Sequence, residues 1–151
     1  MTRKEQRLLM DKAIKEIAIP FFREQGFKGS FPHFRRTKED RINLLTFQFS
    51  LYSAQFVVEI SNCSVNGILT SWNKEIKPAN CTAHDMLRRY RIGSIKNKTD
   101  YWFDFSKELI FLNIYKKRAN EIIKLWYEAE KWWQDDPYEQ RHAMVPPTNK
   151  N

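Results

Sequence analysis

Glycine, cysteine and histidine are all scarce in this sequence, and each scarcity removes a class of chemistry. The four glycines, Gly26, Gly29, Gly67 and Gly93, do not form the closely spaced set ahead of a helix that cradles phosphate in a P-loop or a dinucleotide-binding turn. Both nucleotide-binding architectures are excluded. Two cysteines, Cys63 and Cys81, are too few for a disulfide framework in a chain of 151 residues, and are expected to be reduced, buried thiols. Of the three histidines, His33 and His142 are isolated, with His33 expected in a strand or turn. Only His84 stands near a thiol, in "CTAHD", at a Cys-x2-His spacing from Cys81. A closed zinc site takes four ligands and only Cys63 could approach these two, so Cys81 reads as a structural thiol and His84 as a surface residue. Neither a metal nor a cofactor is expected.

Other absences point the same way. No GxSxG nucleophile motif occurs, so acyl transfer has no support and no catalytic motif is in view. No apolar run approaches the roughly 18 residues of a membrane span, and the opening "MTRKEQRLLM" lacks the apolar core of a secretory signal. A cytoplasmic protein that does not enter a membrane is expected.

Aromatic and basic residues, by contrast, are plentiful. At 42% hydrophobic and 15% aromatic, the chain carries too much apolar surface to stay disordered. A chain of this length buries roughly 68–70% of its unfolded surface around one core. Residues 1–136 are read as one domain, and 137–151, polar and proline-bearing, as a flexible tail. The net charge of +8 sits in two segments: 1–40, with ten Lys or Arg against six acids, and 71–100, with seven against three. Such clustering is either a solvated face or the footprint of a polyanion.

Helical spacing marks both ends. Thr2 and Glu5 stand at capping-box separation, and Met10, Ala13, Ile14, Ile17 and Phe21 follow on one face as far as a stop at Gly26. Pro20, which lacks a backbone donor, is expected to kink or divide that helix. Leu112, Tyr115, Ala119, Ile122, Trp126, Ala129 and Trp133 define a long second helix, with Ser106 as its cap and an end before Pro137.

Between the helices the period falls to 2. In "INLLTFQFSLY", Leu45, Phe47, Phe49 and Leu51 face inward, opposite Leu44, Thr46, Gln48, Ser50 and Tyr52. "QFVVEIS" turns Phe56, Val58 and Ile60 inward, and the two runs form a hairpin around Ser53 and Ala54. Phe34, Tyr90 and Ile92 take the same inward role, with Arg35, Arg89 and Arg91 outward and Gly93 at a bulge or a close approach. Residues 64–80 are an irregular connection with a short strand near Ile68 to Trp72. The fold expected is α+β: an N-terminal helix, a four- or five-stranded antiparallel meander sheet, and a long C-terminal helix, with both helices on the Phe47 face.

The stretches "GFKGSFPHFRR", "INLLTFQFSLYSAQFVVEI", "RIGSI" and "DYWFDF", in that order between two helices, resemble the bacterial family catalogued as domain of unknown function 4304, over roughly residues 8 to 135. The resemblance implies a compact α+β domain and brings no activity with it. Its motif positions are Gly26, Phe27, Phe34, Arg35, Phe47, Gln48, Arg91, Gly93 and Trp102; the 64–80 connection is long for the pattern, and Phe103 stands where a second tryptophan is common.

Strand parity places Arg35, Gln48, Glu59 and Arg91 on the face opposite the core, with Trp102 as a possible stacking wall. Two guanidinium forks beside a carboxamide suit a carboxylate or phosphate. The competing reading makes Arg91 or Arg35 a cross-strand partner of Glu59. The function expected is a binding module that recognises a protein partner or a small anionic ligand on the exposed sheet face. The alternative is a nucleic-acid binder using Arg36, Lys38, Arg88, Arg89, Lys96 and Lys98 on a basic strand 88–98, although neither an RNA-binding aromatic motif nor a helix-turn-helix pattern is present.

Overall fold

Thr2 opens the first helix as expected, its Oγ1 accepting the Glu5 backbone N–H at 3.1 Å. In the computed structural model, which describes residues 1–107 and 113–137, α1 (Arg3–Ala13) runs through a π-helical turn (Ile14–Ala18) into α2 (Ile19–Glu24) without leaving helical dihedrals. The π turn shows how Pro20 is accommodated. Proline has no N–H and its ring crowds the carbonyl one turn back, and the ladder widens so that Ile19 N–H bonds Ile14 O, five residues back. The helix stops at Gly26 (φ +94°) in a Schellman arrangement: Gly26 N–H donates to Arg23 O and Phe27 N–H to Phe22 O, both at 3.0 Å.

The sheet follows as a meander of β1 (Lys28–Ser30), β2 (His33–Thr37), β3 (Ile42–Phe49) and β4 (Gln55–Cys63). Past β4 the edge is shared by two short strands, β7 (Tyr90–Arg91) and β8 (Phe103–Asp104), both antiparallel to it. A two-stranded ribbon of β5 (Ile68–Leu69) and β6 (Glu75–Ile76) lies between β4 and β7 in the chain, and α3 (Ser94–Asn97) between β7 and β8. The expected four or five strands are therefore present, and β8 adds one further pairing on β4.

The second helical segment differs from its expectation in two respects. Its cap is Asn113 rather than Ser106, the Asn113 carboxamide oxygen accepting from the Tyr115 and Lys116 amides; Ser106 instead bonds Asp104. It is also two helices, α4 (Ile114–Lys124) and α5 (Trp126–Asp135), divided at Leu125, whose ψ of 2° leaves the helical basin. The side chain of Leu125 is buried at the joint, so the break preserves the apolar stripe while changing its direction. Leu112 and residues 138–151, including His142 and most of the tail, lie outside the described residues.

Both helical segments pack on the Phe47 face. Phe22, Phe27, Phe34, Phe47, Trp126 and Trp133 form one aromatic nucleus, with Phe22 stacked on Trp126 at 5.3 Å and Phe56 on Phe103 at 4.9 Å. Leu51 is a correction: it does not continue the inward row, because the strand ends at Phe49, and it stands 79% exposed at the hairpin tip beside Tyr52. The opposite face is also not open as expected. Residues 64–89 fold across its middle, burying Leu44, Thr46, Ser61 and Cys63 and forming a second small core with Ile42, Ile68, Cys81, Ala83 and Met86. Cys63 and Cys81 are free thiols within it. No periodicity announces this cover, because it is built from turns.

Candidate functional site

Sheet register aligns the polar residues of the outer face in rows. Ser30, His33, Thr46, Glu59 and Arg91 are successive cross-strand neighbours from β1 to β7, and Lys28, Arg35, Leu44 and Ser61 form the row beside them. Directly opposed residues share a face, so these rows deliver two chemically distinct centres.

The first centre is Glu59, a carboxylate buried on β4. Its Oε2 accepts from Arg91 Nε at 3.1 Å; its Oε1 lies 3.1 Å from His84 Nε2 and 3.7 Å from Arg89 Nη1. Arg91 reaches further, to Asp100 at 2.7 Å, and stands over the Trp102 ring at 5.2 Å. Arg89 and Arg91 are thus ion-paired to Glu59, whose buried Oε1 nevertheless makes no hydrogen bond of good geometry. Of the five residues expected to converge, Glu59, Arg91 and Trp102 do meet, in the cross-strand pairing that was the competing reading. Gln48 stands exposed opposite Val57, one same-face step beyond Thr46, and Arg35 lies two strands away.

The second centre surrounds Arg35 and is open. Ten arginines lie in the described residues, and Arg35 is the one with no hydrogen bond and no ion pair; its Nε is buried and unsatisfied. It borders a cleft of about 410 Å3 between the β1–β2 turn and the segment Pro78–Thr82, lined among others by Ser30, Phe31, His33, Asn80 and Thr82. No carboxylate lines it. His33 Nδ1 is 3.1 Å from Thr46 Oγ1, which also accepts the Ala83 N–H. Burial, then the neighbouring His84 and Arg35, push the His33 pKa below the usual histidine range, against a smaller opposing pull from Asp85. Ser30 and Asn80 have no side-chain hydrogen bond among the described residues. Thr82 is engaged, in a capping box with Asp85.

Gly29 fits this description. At φ +112° it adopts a backbone that side chains avoid, and a Cβ there would meet His33 O at 2.5 Å and Arg35 Nη1 at 3.4 Å. The guanidinium therefore lies against bare backbone.

A larger cleft, of about 630 Å3, lies by Arg36, Lys38, Arg41 and Glu130. Its arginines are engaged. Arg36 is buried between the rings of Phe27 and Trp133 and holds Glu130 in a two-pronged pair, while Arg41 donates to the Trp133 and Asp136 carbonyls. We therefore place the candidate site at the smaller cleft. The nucleic-acid set fares likewise: Arg36 is buried, Arg88 pairs with buried Asp136 at 2.8 Å, and of residues 88–98 only Tyr90 and Arg91 are strand. Lys96 and Lys98 belong to α3 and its αL cap.

Among the described residues, no three of His, Cys, Asp and Glu group as metal ligands, and no helix is long and apolar enough to cross a membrane. Parity could have added His33, two residues before Arg35, to the expected site. Ser30, Asn80 and the cover carrying His84 gave no such signal.

The chain matches the family described as a domain of unknown function (DUF4304) over residues 17–136. The match covers most of the chain, which belongs to that family. No curated protein and no solved structure matches it.

Proposed function

We propose that this chain is a binding module that takes a small anionic ligand on the outer face of its sheet, in the Arg35 cleft. The observation that carries this reading is the unpaired Arg35. A guanidinium whose Nε is shut off from water and has no acceptor costs stability, since buried polar groups are ordinarily satisfied. An anion in the adjoining cleft offsets that cost. Arg36, its neighbour on the same strand, shows that the fold can satisfy an arginine there with carboxylate and carbonyl oxygens. The cleft volume lies within the range of small-molecule sites, ~300–1,000 Å3.

The test is thermal denaturation of the full chain against a panel of phosphate, sulfate and carboxylate ligands, beside Arg35→Gln. The reading expects at least one anion to raise the wild-type midpoint and to lose that effect in the variant. If no anion stabilises the protein in an Arg35-dependent way, the proposal fails. Recognition of a protein partner has one observation in its favour, the hairpin tip, where Leu51 and Tyr52 are 79% and 86% exposed.

A further inference from the structure

We propose that the anion held by the Arg35 cleft is the phosphate group of a small phosphomonoester. The inference rests on the anion-binding reading above and narrows it. A carboxylate presents two oxygens in one plane, and a single guanidinium fork can take both. That would leave the other polar groups of this cleft to solvent. They are the Ser30 hydroxyl on β1, His33 Nε2 on β2 and the Asn80 carboxamide on the facing turn, and none has a protein partner among the described residues.

A phosphomonoester has three terminal oxygens directed to separate sides, and so can accept from the strand side and the turn side together. Its charge also fits: Lys28 opposes Arg35 across the β1–β2 ladder on the same face, giving two cations for a dianion, with no carboxylate lining the cleft to repel it. Phe31, Pro32 and Ala79 supply apolar wall for the organic part of such a ligand. Gly29 carries no Cβ, which would stand 3.4 Å from Arg35 Nη1.

The probes are phenyl phosphate and benzoate, titrated into the full chain at fixed ionic strength and followed by calorimetry and by the side-chain and amide resonances of Ser30, His33 and Asn80. Phenyl phosphate is expected to bind at least about tenfold more tightly than benzoate, to shift those resonances, and to lose about tenfold or more in Arg35→Gln. Asn80→Ala, which removes a half-engaged turn residue and no core group, is expected to weaken phenyl phosphate severalfold and leave benzoate unchanged. Arg35-dependent binding in which benzoate equals or exceeds phenyl phosphate would sink the phosphate inference and leave the anion site standing. Binding of neither probe, or phosphate binding that survives both substitutions, would overturn the inference, and in the first case the anion reading would rest only on ligands outside these two classes.

Discussion

Arg35 and Arg36 are neighbours on β2 and opposites in circumstance, because strand alternation sends one to each face of the sheet. On the inner face, Arg36 starts a chain of hydrogen bonds that closes one end of the core: Nε donates to Asn43 Oδ1, Asn43 Nδ2 to Asn62 Oδ1, and Asn62 Nδ2 to Trp133 O and Asp136 Oδ2. Every link is made within the chain. On the outer face, Arg35 has none. The contrast separates two uses of one residue type: a buried guanidinium with all its acceptors fixes helix against sheet, whereas one left without acceptors is available to a ligand.

The largest expected effect lies on the inner side. Trp126 touches Phe21, Phe22, Phe27 and Trp133, and Trp126→Ala should cost about 3–5 kcal/mol through lost burial and a residual cavity, read from denaturant midpoints. A stable variant with altered light scattering would instead make the stripe an interface. Next is Arg36→Met, expected to cost about 3 kcal/mol, because Asn43 and Glu130 lose their partner. Burial raises the Glu130 pKa, but its bonds to Arg36 outweigh that and hold the carboxyl below the ordinary range. Its contribution is present at neutral pH and lost as pH falls through the folded value, and Arg36→Met should weaken that acid sensitivity.

On the outer face the effects shrink. Arg91→Met should cost about 1–3 kcal/mol, since Glu59 is buried but keeps His84 and Arg89 nearby, and much of the loss should disappear in the double variant with Glu59→Gln. Additive losses in the cycle would show that the two residues are not coupled. His33 gives a smaller, pH-dependent effect. Facing Arg35, His84, Asp85, Ser30 and Thr46, the folded ring takes its proton at lower pH than the unfolded chain does. Its stabilising contribution is therefore complete at neutral pH and declines as pH falls below about 6.5. His33→Gln should flatten stability between about pH 7 and 5.5; an unchanged slope would place the acid sensitivity elsewhere. The smallest effect is Arg35→Gln, expected within about 0.5 kcal/mol of wild type, because no hydrogen bond or ion pair is broken. A loss as large as that of Arg36→Met would erase the distinction between the two arginines.

Much of this was legible before the fold was known, because parity in strands is a local property. The opposite orientation of Phe34 and Arg35, the inward row Leu45, Phe47 and Phe49, and the Glu59–Arg91 alternative all follow from a period of 2. What parity cannot supply is a partner from elsewhere in the chain. Glu130 meets Arg36 across 94 residues, and Asn80 meets the Arg35 cleft by way of a segment of turns. The Leu125 break was equally hidden, since an apolar stripe continues through it with no Gly or Pro to mark it. The candidate site was thus half visible: Arg35 from its strand, its surroundings only from the fold.

The opening of α3 has one more consequence. The buried Glu128 carboxylate on α5 accepts from the Tyr90 hydroxyl, from Gly93 N–H at 3.0 Å and from Lys96 N–H at 3.1 Å. Exposed amides of this kind at the start of a helix are where a free anion is commonly caught. Here the chain supplies its own, a tethered counterion donated by the C-terminal helix to the most basic stretch of the sequence. Glu128 thereby ties the start of α3 to α5 through backbone amides, while Arg88 reaches Asp136 and Arg89 and Arg91 reach Glu59.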